Sequence, residues 1–223
     1  MRAMAEAPAQ GINKTDPPSL PEITVTPITD KKSLRKEIIS RRDSIPPEIR
    51  SLKDSLIHKH LSDTTIFKDA RVILLYASFR SEVSTENLII KSLSDKIVTG
   101  LPRVDNRNET LMLYEIRDWS ELSPGSWGIL EPGEMVGRKI SVDDIDIVIA
   151  PGVAFDQNCN RLGYGKGFYD KLLSRKKGMK PFVIGLAYEE QIVISLPCNP
   201  HDIKMDVVIT DKRTITCNEP KKD

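Results

Sequence analysis

Arg161-Leu162-Gly163-Tyr164-Gly165-Lys166-Gly167-Phe168-Tyr169-Asp170 follows an apolar run ending at Phe155 and enters a helical pattern that carries Asp170, Leu172 and Leu173. Strand, glycine loop and helix start in that order are the unit of an α/β fold. Glycine tolerates positive φ and close backbone approach, so consecutive N–H groups can converge on an anion where a helix start also favours negative charge. Lys166 adds a cation to that cradle, and Asp170, one turn on, an oxygen of the kind Mg2+ takes. The stretch thus suits a magnesium nucleotide. It fits neither common nucleotide motif: Lys166 is followed by Gly167 and not by a hydroxyl residue, and the dinucleotide fingerprint fails at Phe168. The competing reading is a tight turn whose glycines only relieve crowding. Arg161, Tyr164, Lys166, Tyr169 and Asp170 gathered at one turn weigh against it.

Outward from this stretch the chain alternates. Asp30 is placed to cap a helix from Lys31 to about Arg42, and Ser44, Pro46 and Pro47 restart a second, with Ile49, Leu52, Leu56 and Leu61 at roughly helical spacing. Strands are expected at 71–78, 96–102, 110–116, 145–150, 182–187 and 206–210, with helices at 85–93 and from the glycine loop to about Arg175. Val72-Ile73-Leu74-Leu75 and Ile147-Val148-Ile149-Ala150 read as strands buried on both faces. The expected fold is α/β: a mainly parallel sheet sandwiched by helices, three-layer and Rossmann-like. Residues 30–212 form its single domain, between a disordered Pro-rich tail (1–29) and a polar C-terminal tail (213–223). Ligands of such sheets collect at the carboxyl ends of strands, where Glu82, Arg103 and the glycine loop all fall.

Composition sets limits. With 33 Lys plus Arg against 32 Asp plus Glu, the net charge of +1 creates no global field for nucleic acid or an anionic membrane. The tail around Pro8, Pro17, Pro18, Pro21 and Pro27 contains no run fit for a signal or a membrane span, so the expected location is cytoplasmic, with organellar targeting by this tail as the alternative. Cys159, Cys198 and Cys217 have no metal-ligand spacing, and Cys159 reads as incidental, in keeping with a reducing compartment. His58 and His60, two apart on a helix, point to different faces.

The stretch 161–170, preceded by Ile147 to Phe155 with its Pro151-Gly152 bend, resembles the signature of the 5-formyltetrahydrofolate cyclo-ligase family. Lys31-Lys32-Ser33-Leu34-Arg35, Glu82-Val83-Ser84-Thr85-Glu86, Pro102-Arg103-Val104, Ser126-Trp127-Gly128-Ile129 and His201-Asp202-Ile203-Lys204-Met205-Asp206 resemble further family segments in the same order. The likeness spans roughly residues 30–212.

That resemblance implies ATP-driven cyclisation of 5-formyltetrahydrofolate to 5,10-methenyltetrahydrofolate by a monomer, with ADP and phosphate released and Mg2+ as cofactor. It implies ATP contacts from Lys31, Arg35, Arg161, Leu162, Gly163, Gly165, Lys166, Gly167 and Tyr169. The folate would meet Arg35, Ala77, Glu82, Trp127, Tyr164, Gly165, Lys166, Gly167 and Phe168. Lys166, Arg161 and Tyr164 would serve the chemistry, Asp170 and Asp202 the metal, and Asp206 a structural role. Position 164 is tyrosine where some members carry arginine, so a charge on the transferring phosphoryl group is expected from elsewhere. A sugar-phosphate isomerase-like enzyme and a non-catalytic folate- or nucleotide-binding protein are the alternative functions.

Overall fold

The computed structural model describes residues 30–174 and 181–217. The chain opens with α1 (Lys31–Asp43), α2 (Pro47–Asp63) and the short α3 (Thr65–Lys68), then β1 (Val72–Leu74) and α4 (Glu86–Ser94). Asp30 caps α1 by accepting the Ser33 N–H at 2.9 Å, as its position predicts. β2 (Val98–Asp105) and β3 (Thr110–Ile116) form a hairpin, and β4 (Leu122–Pro124) and β5 (Leu130–Pro132) a second, smaller one that carries Trp127 at its tip. β6 (Ile147–Ala150), β7 (Ala154–Asp156) and β8 (Arg161–Leu162) lead to α5 (Phe168–Leu173), followed by β9 (Phe182–Ala187), β10 (Ile192–Val193), β11 (Val207–Thr210) and β12 (Thr214–Thr216).

The main sheet runs β12-β11-β9-β6-β1-β2-β3. Its five central strands are parallel and both edges are closed by an antiparallel strand. Alternate residues feed two cores. Ile73, Ile147, Ile149, Ile184, Leu186, Val207 and Ile209 pack with Ile57 and Leu61 of α2 and Leu88 and Ile89 of α4. Leu74, Val148, Ala150, Val183 and Val208 pack on the other face with Leu172 and Leu173 of α5. Two-sided burial is what nearly unbroken apolar strands require, and the expected helix-sheet-helix layering follows from it.

Three local features go beyond what the pattern of residues indicates. The strand expected at 145–150 is β6, and after the Pro151-Gly152 bend the chain does not pass straight to the glycine loop, because β7 and β8 form an antiparallel hairpin first. Asp156 builds that hairpin's turn, accepting the N–H groups of Asn158 and Asn160, both at 2.9 Å. On α2, Ile49, Leu52 and Leu56 face outward, while Ile57 and Leu61 are fully buried. Residues 214–216, beyond the boundary expected at 212, form a strand that pairs with β11 at the edge of the main sheet. The tails 1–29 and 218–223, and the helix end expected near Arg175, lie outside the described residues.

Cys159 is fully buried and lies beside Cys217, with Cα atoms 5.8 Å apart. Cys198 is free. His58 and His60 contact separate carbonyls, Ser84 at 2.6 Å and Thr210 at 2.9 Å. Asp206 accepts the Val183 N–H at 2.7 Å and so joins β11 to β9, the structural part expected of it.

Candidate active site

The strand order places β1 beside both β2 and β6, so the connections leaving β1 and β6 diverge at the sheet's carboxyl edge. A cleft opens there in doubly wound sheets. The segment after β1 carries Ala77 and Glu82, and the segment after β6 carries the β7–β8 hairpin and the glycine loop. Arg103, expected beyond the end of its strand, instead lies within β2, where it donates to the Pro132 carbonyl at 3.0 Å.

Gly165 (φ 103°) and Gly167 (φ 68°) hold conformations that L side chains rarely adopt, and Gly167 caps α5. Among the described residues, the backbone N–H groups of Tyr164, Gly165 and Lys166 have no acceptor. A row of exposed, unpaired donors next to a lysine is the composition of an anion cradle. The described part of α5 has six residues, so the loop itself and not a long helix dipole supplies most of the attraction.

Helix α1 lies along this loop because Leu34 and Ile38 pack against Val153, Ala154 and Leu162 of the hairpin. Leu162 therefore spends its side chain on packing. Arg35 Nε donates to the Gly163 carbonyl at 2.8 Å, and Lys31 Nζ pairs with Asp202 Oδ2 at 2.6 Å. Both cations of the first turns thus reach the cleft, one tied to the loop and one to the segment before β11.

Arg161 and Asp170 meet each other: Arg161 Nη2 lies 2.8 Å from Asp170 Oδ1, and Nη1 donates to the Pro151 carbonyl. Arg161 is nearly buried, with its Nε unpartnered, and its guanidinium sits 5.8 Å from the Tyr169 ring centroid. The Tyr169 hydroxyl is likewise buried without a partner, and burial raises its pKa.

Asp170 Oδ1 accepts Arg161 and the Ile203 N–H; Asp202 Oδ2 accepts Lys31 and the Asn199 N–H. In each carboxylate the other oxygen has no hydrogen-bond partner among the described residues. Two such oxygens suit Mg2+, which takes one or two carboxylates and completes its shell with water and substrate phosphate. Burial works to raise the Asp202 pKa, but the bonds from Lys31 and the Asn199 N–H, with the nearby Lys31 and Arg161 charges, hold it below the usual range.

The opposite wall is aromatic. Trp127 has a φ of 58° and is 55% exposed, with its ring 6.2 Å from that of Phe168 and 6.0 Å from the Lys166 ammonium. An exposed indole held in a strained backbone conformation has been placed for something other than core packing. Opposite it, Glu82 accepts the Phe79 N–H at 2.9 Å and faces the Tyr164 hydroxyl. Burial raises the Glu82 pKa, against the opposing pull of Tyr164, the Phe79 N–H and Arg42. The Tyr164 ring is half-exposed, but its hydroxyl end is enclosed. Burial and the Glu82 charge raise its pKa, and Arg42 opposes them. Ala77 is buried among the core residues leading from β1 to Glu82 and makes none of these polar contacts.

Arg42 was not legible as a site residue. Its signal is the recurrence Lys31, Arg35, Ile38, Arg42, one stripe on α1 that faces the loop. A groove of about 1240 Å³ runs along 110–113 and 139–143 and is lined by none of the expected site residues. It lacks the paired carboxylates, cations and glycine loop that converge at the sheet edge.

The sequence model of the 5-formyltetrahydrofolate cyclo-ligase family matches residues 27–211. The chain is 31% identical to the 5-formyltetrahydrofolate cyclo-ligase of Mus musculus over 83% of its own length and 95% of the relative's. It is 28% identical to the mitochondrial 5-formyltetrahydrofolate cyclo-ligase of Arabidopsis thaliana, over 81% and 73%. The solved structure of Aquifex aeolicus 5,10-methenyltetrahydrofolate synthetase superposes with a TM-score of 0.75 at 33% identity, covering 86% of this chain and 95% of that one. With the match covering most of the chain and the cleft built from the same ordered segments, this protein belongs to the 5-formyltetrahydrofolate cyclo-ligase family.

Proposed function

We propose that this enzyme converts 5-formyltetrahydrofolate to 5,10-methenyltetrahydrofolate, using ATP and Mg2+ and releasing ADP and phosphate. The observation that carries the reading is the junction of two unlike walls at one loop. Tyr164 faces Glu82 on one side, Lys166 and Phe168 lie beside the Trp127 ring on the other, and the N–H groups of Tyr164, Gly165 and Lys166 are unpaired among the described residues. A pterin asks for a flat apolar plate and a carboxylate that accepts paired N–H donors, and a triphosphate asks for N–H groups and cations.

The formyl group is a poor electrophile because its oxygen leaves badly. Transfer of the ATP γ-phosphoryl group to that oxygen breaks the bond to ADP and makes a phosphorylated intermediate. The folate's second nitrogen then attacks the formyl carbon, phosphate departs with the oxygen, and the ring closes. Such a reaction needs two ligands aligned and charge neutralised, not a protein nucleophile. Lys166 and the loop N–H groups would hold the γ-phosphate, and Arg35 and Lys31 would lie along the rest of the nucleotide. Arg161, committed to Asp170, would act by orienting that carboxylate. Bound Mg2+, held by Asp170 and Asp202, would offset charge on the phosphates.

The reading extends to a cytoplasmic monomer acting on reduced folate and ATP, with no nucleic-acid or membrane partner. No helix among the described residues is long and apolar enough to cross a membrane. A sugar-phosphate isomerase would use the cradle but neither Trp127 nor Glu82. A non-catalytic binder differs only in lacking turnover. The deciding experiment follows methenyl absorbance with 5-formyltetrahydrofolate, ATP and Mg2+ present, each then omitted in turn. Signal only with all three is expected, and signal without ATP removes the ligase reading.

A further inference from the structure

Arg42 is the deepest of the three cations on the cleft face of α1, at 3% exposure. Its Nε donates to Ser81 Oγ and its Nη2 to the Tyr164 hydroxyl oxygen, both at 3.0 Å, and Ser81 in turn donates to Asp43. Nη1 is buried with no hydrogen-bond partner among the described residues. Arg42 thus holds its place at the cost of an unsatisfied donor, which a merely structural arginine would tend to shed.

The direction of these bonds matters. A guanidinium only donates, so the Tyr164 oxygen is occupied as an acceptor and its one proton is free to turn to Glu82, which faces it. The polarity runs one way, from Arg42 through Tyr164 towards Glu82. Glu82 Oε2 also takes the Phe79 N–H, so the carboxylate is aimed from two sides.

We propose that Arg42 is a positioning residue for the folate site: acting through the Tyr164 hydroxyl, it sets the orientation and keeps the charge of Glu82, so that the carboxylate can accept paired donors from the pterin. This rests on the folate reading of Glu82 given above. The titratable and charged groups facing Glu82 are Arg42 from α1, Tyr76 from the segment after β1, Tyr164 from the loop and Tyr169 from α5. Tyr188 reaches the Glu82 backbone carbonyl at 3.4 Å. All four tyrosines have raised pKa values, chiefly through burial, so in acid and neutral solution Glu82 is the member that titrates and Arg42 is the cation that opposes its protonation.

The test measures initial rates with each substrate varied separately, across acid and neutral pH, for Arg42→Ala, Arg42→Lys, Tyr164→Phe, Arg42→Ala/Tyr164→Phe and Glu82→Gln. Arg42→Ala should raise KM for 5-formyltetrahydrofolate roughly tenfold, the scale of one charge-assisted hydrogen bond, leave KM for ATP within about twofold, and move the acid limb of kcat/KM for folate to higher pH. Arg42→Lys should return the limb towards its parent position but recover KM only in part, because lysine carries the charge without the fork. The double variant should be no worse than the poorer single one. An unmoved limb with unchanged folate KM in Arg42→Ala overturns the proposal, as does an equal rise in both KM values in Arg42→Ala and Arg42→Lys. Should Arg42→Ala not fold, Arg42→Lys and Tyr164→Phe decide: the limb must move in Tyr164→Phe, and an unmoved limb overturns the proposal. If Glu82→Gln leaves folate KM unchanged, the folate reading of Glu82 fails as well. If Glu82→Gln raises it and neither Arg42 nor Tyr164 variants do, only the role of Arg42 fails.

Discussion

Arg161 and Asp170 bracket the glycine loop and are bonded to each other at 2.8 Å, so the residues that sequence reading assigned separately to phosphate and metal form one ion pair. The arginine is 4% exposed and the aspartate 26%. Removing the carboxylate charge leaves a buried guanidinium short of its partner. Asp170→Asn should lower stability by about 1–3 kcal/mol, moderated by the partial exposure of the aspartate. It should also raise the Mg2+ concentration needed for half-maximal rate. A rate and a Mg2+ dependence matching the parent would show that Asp170 is not a ligand.

Lys166 is exposed and stands on the cradle beside Trp127. Truncating it removes no core contact, so the melting temperature of Lys166→Ala should equal the parent's. Turnover with ATP should fall on the order of a hundredfold, the usual cost of one charge-stabilising donor. Unchanged turnover contradicts the phosphate assignment.

Trp127 combines a positive φ with an exposed ring. Glycine at that position relieves backbone strain of about 1 kcal/mol while deleting the plate. Trp127→Gly should therefore melt at or above the parent's temperature yet show folate KM raised roughly tenfold. A loss of stability with KM intact would make the indole a packing residue.

Lys31 and Asp202 set a pH signature. Because the folded-state pKa of Asp202 is lowered, the unfolded chain protonates first as pH falls. Its stabilising contribution is thus present above the ordinary carboxylate range and lost as pH drops through the lowered value. The pair is about a quarter exposed, with side-chain exposures of 24% and 27%. Lys31→Met should cost less than about 1 kcal/mol near neutrality, and the gap to the parent should close in acid. A gap that persists in acid, followed by thermal melts, would assign the effect to packing.

Much of the architecture was legible because its cause is local. Val72 to Leu75 and Ile147 to Ala150 have no polar face, so they could only be strands covered on both sides, and the parallel centre of the sheet followed. The β7–β8 hairpin was missed because no element was assigned between Phe155 and Arg161, although Asp156, Asn158 and Asn160 are ordinary turn residues. The outward turn of Ile49, Leu52 and Leu56 was missed because spacing identifies a helix but not which of its sides is covered.

For the site, the loop Gly163 to Gly167 and its neighbours could be read from residue types and order alone, since cradle chemistry resides in consecutive backbone groups and one nearby lysine. Which charges pair could not, because the partners are far apart in the chain. Lys31 meets Asp202 across 171 positions, Arg35 meets Gly163 across 128, and Arg42 meets Tyr164 across 122. Those meetings depend on α1 docking on the β7–β8 hairpin through Leu34, Ile38 and Leu162. Composition and periodicity therefore established a parallel α/β sheet with an anion-binding loop. The packing of one helix against one hairpin decided which cations are committed to carboxylates and which carboxylate, Glu82, is aimed into the cleft.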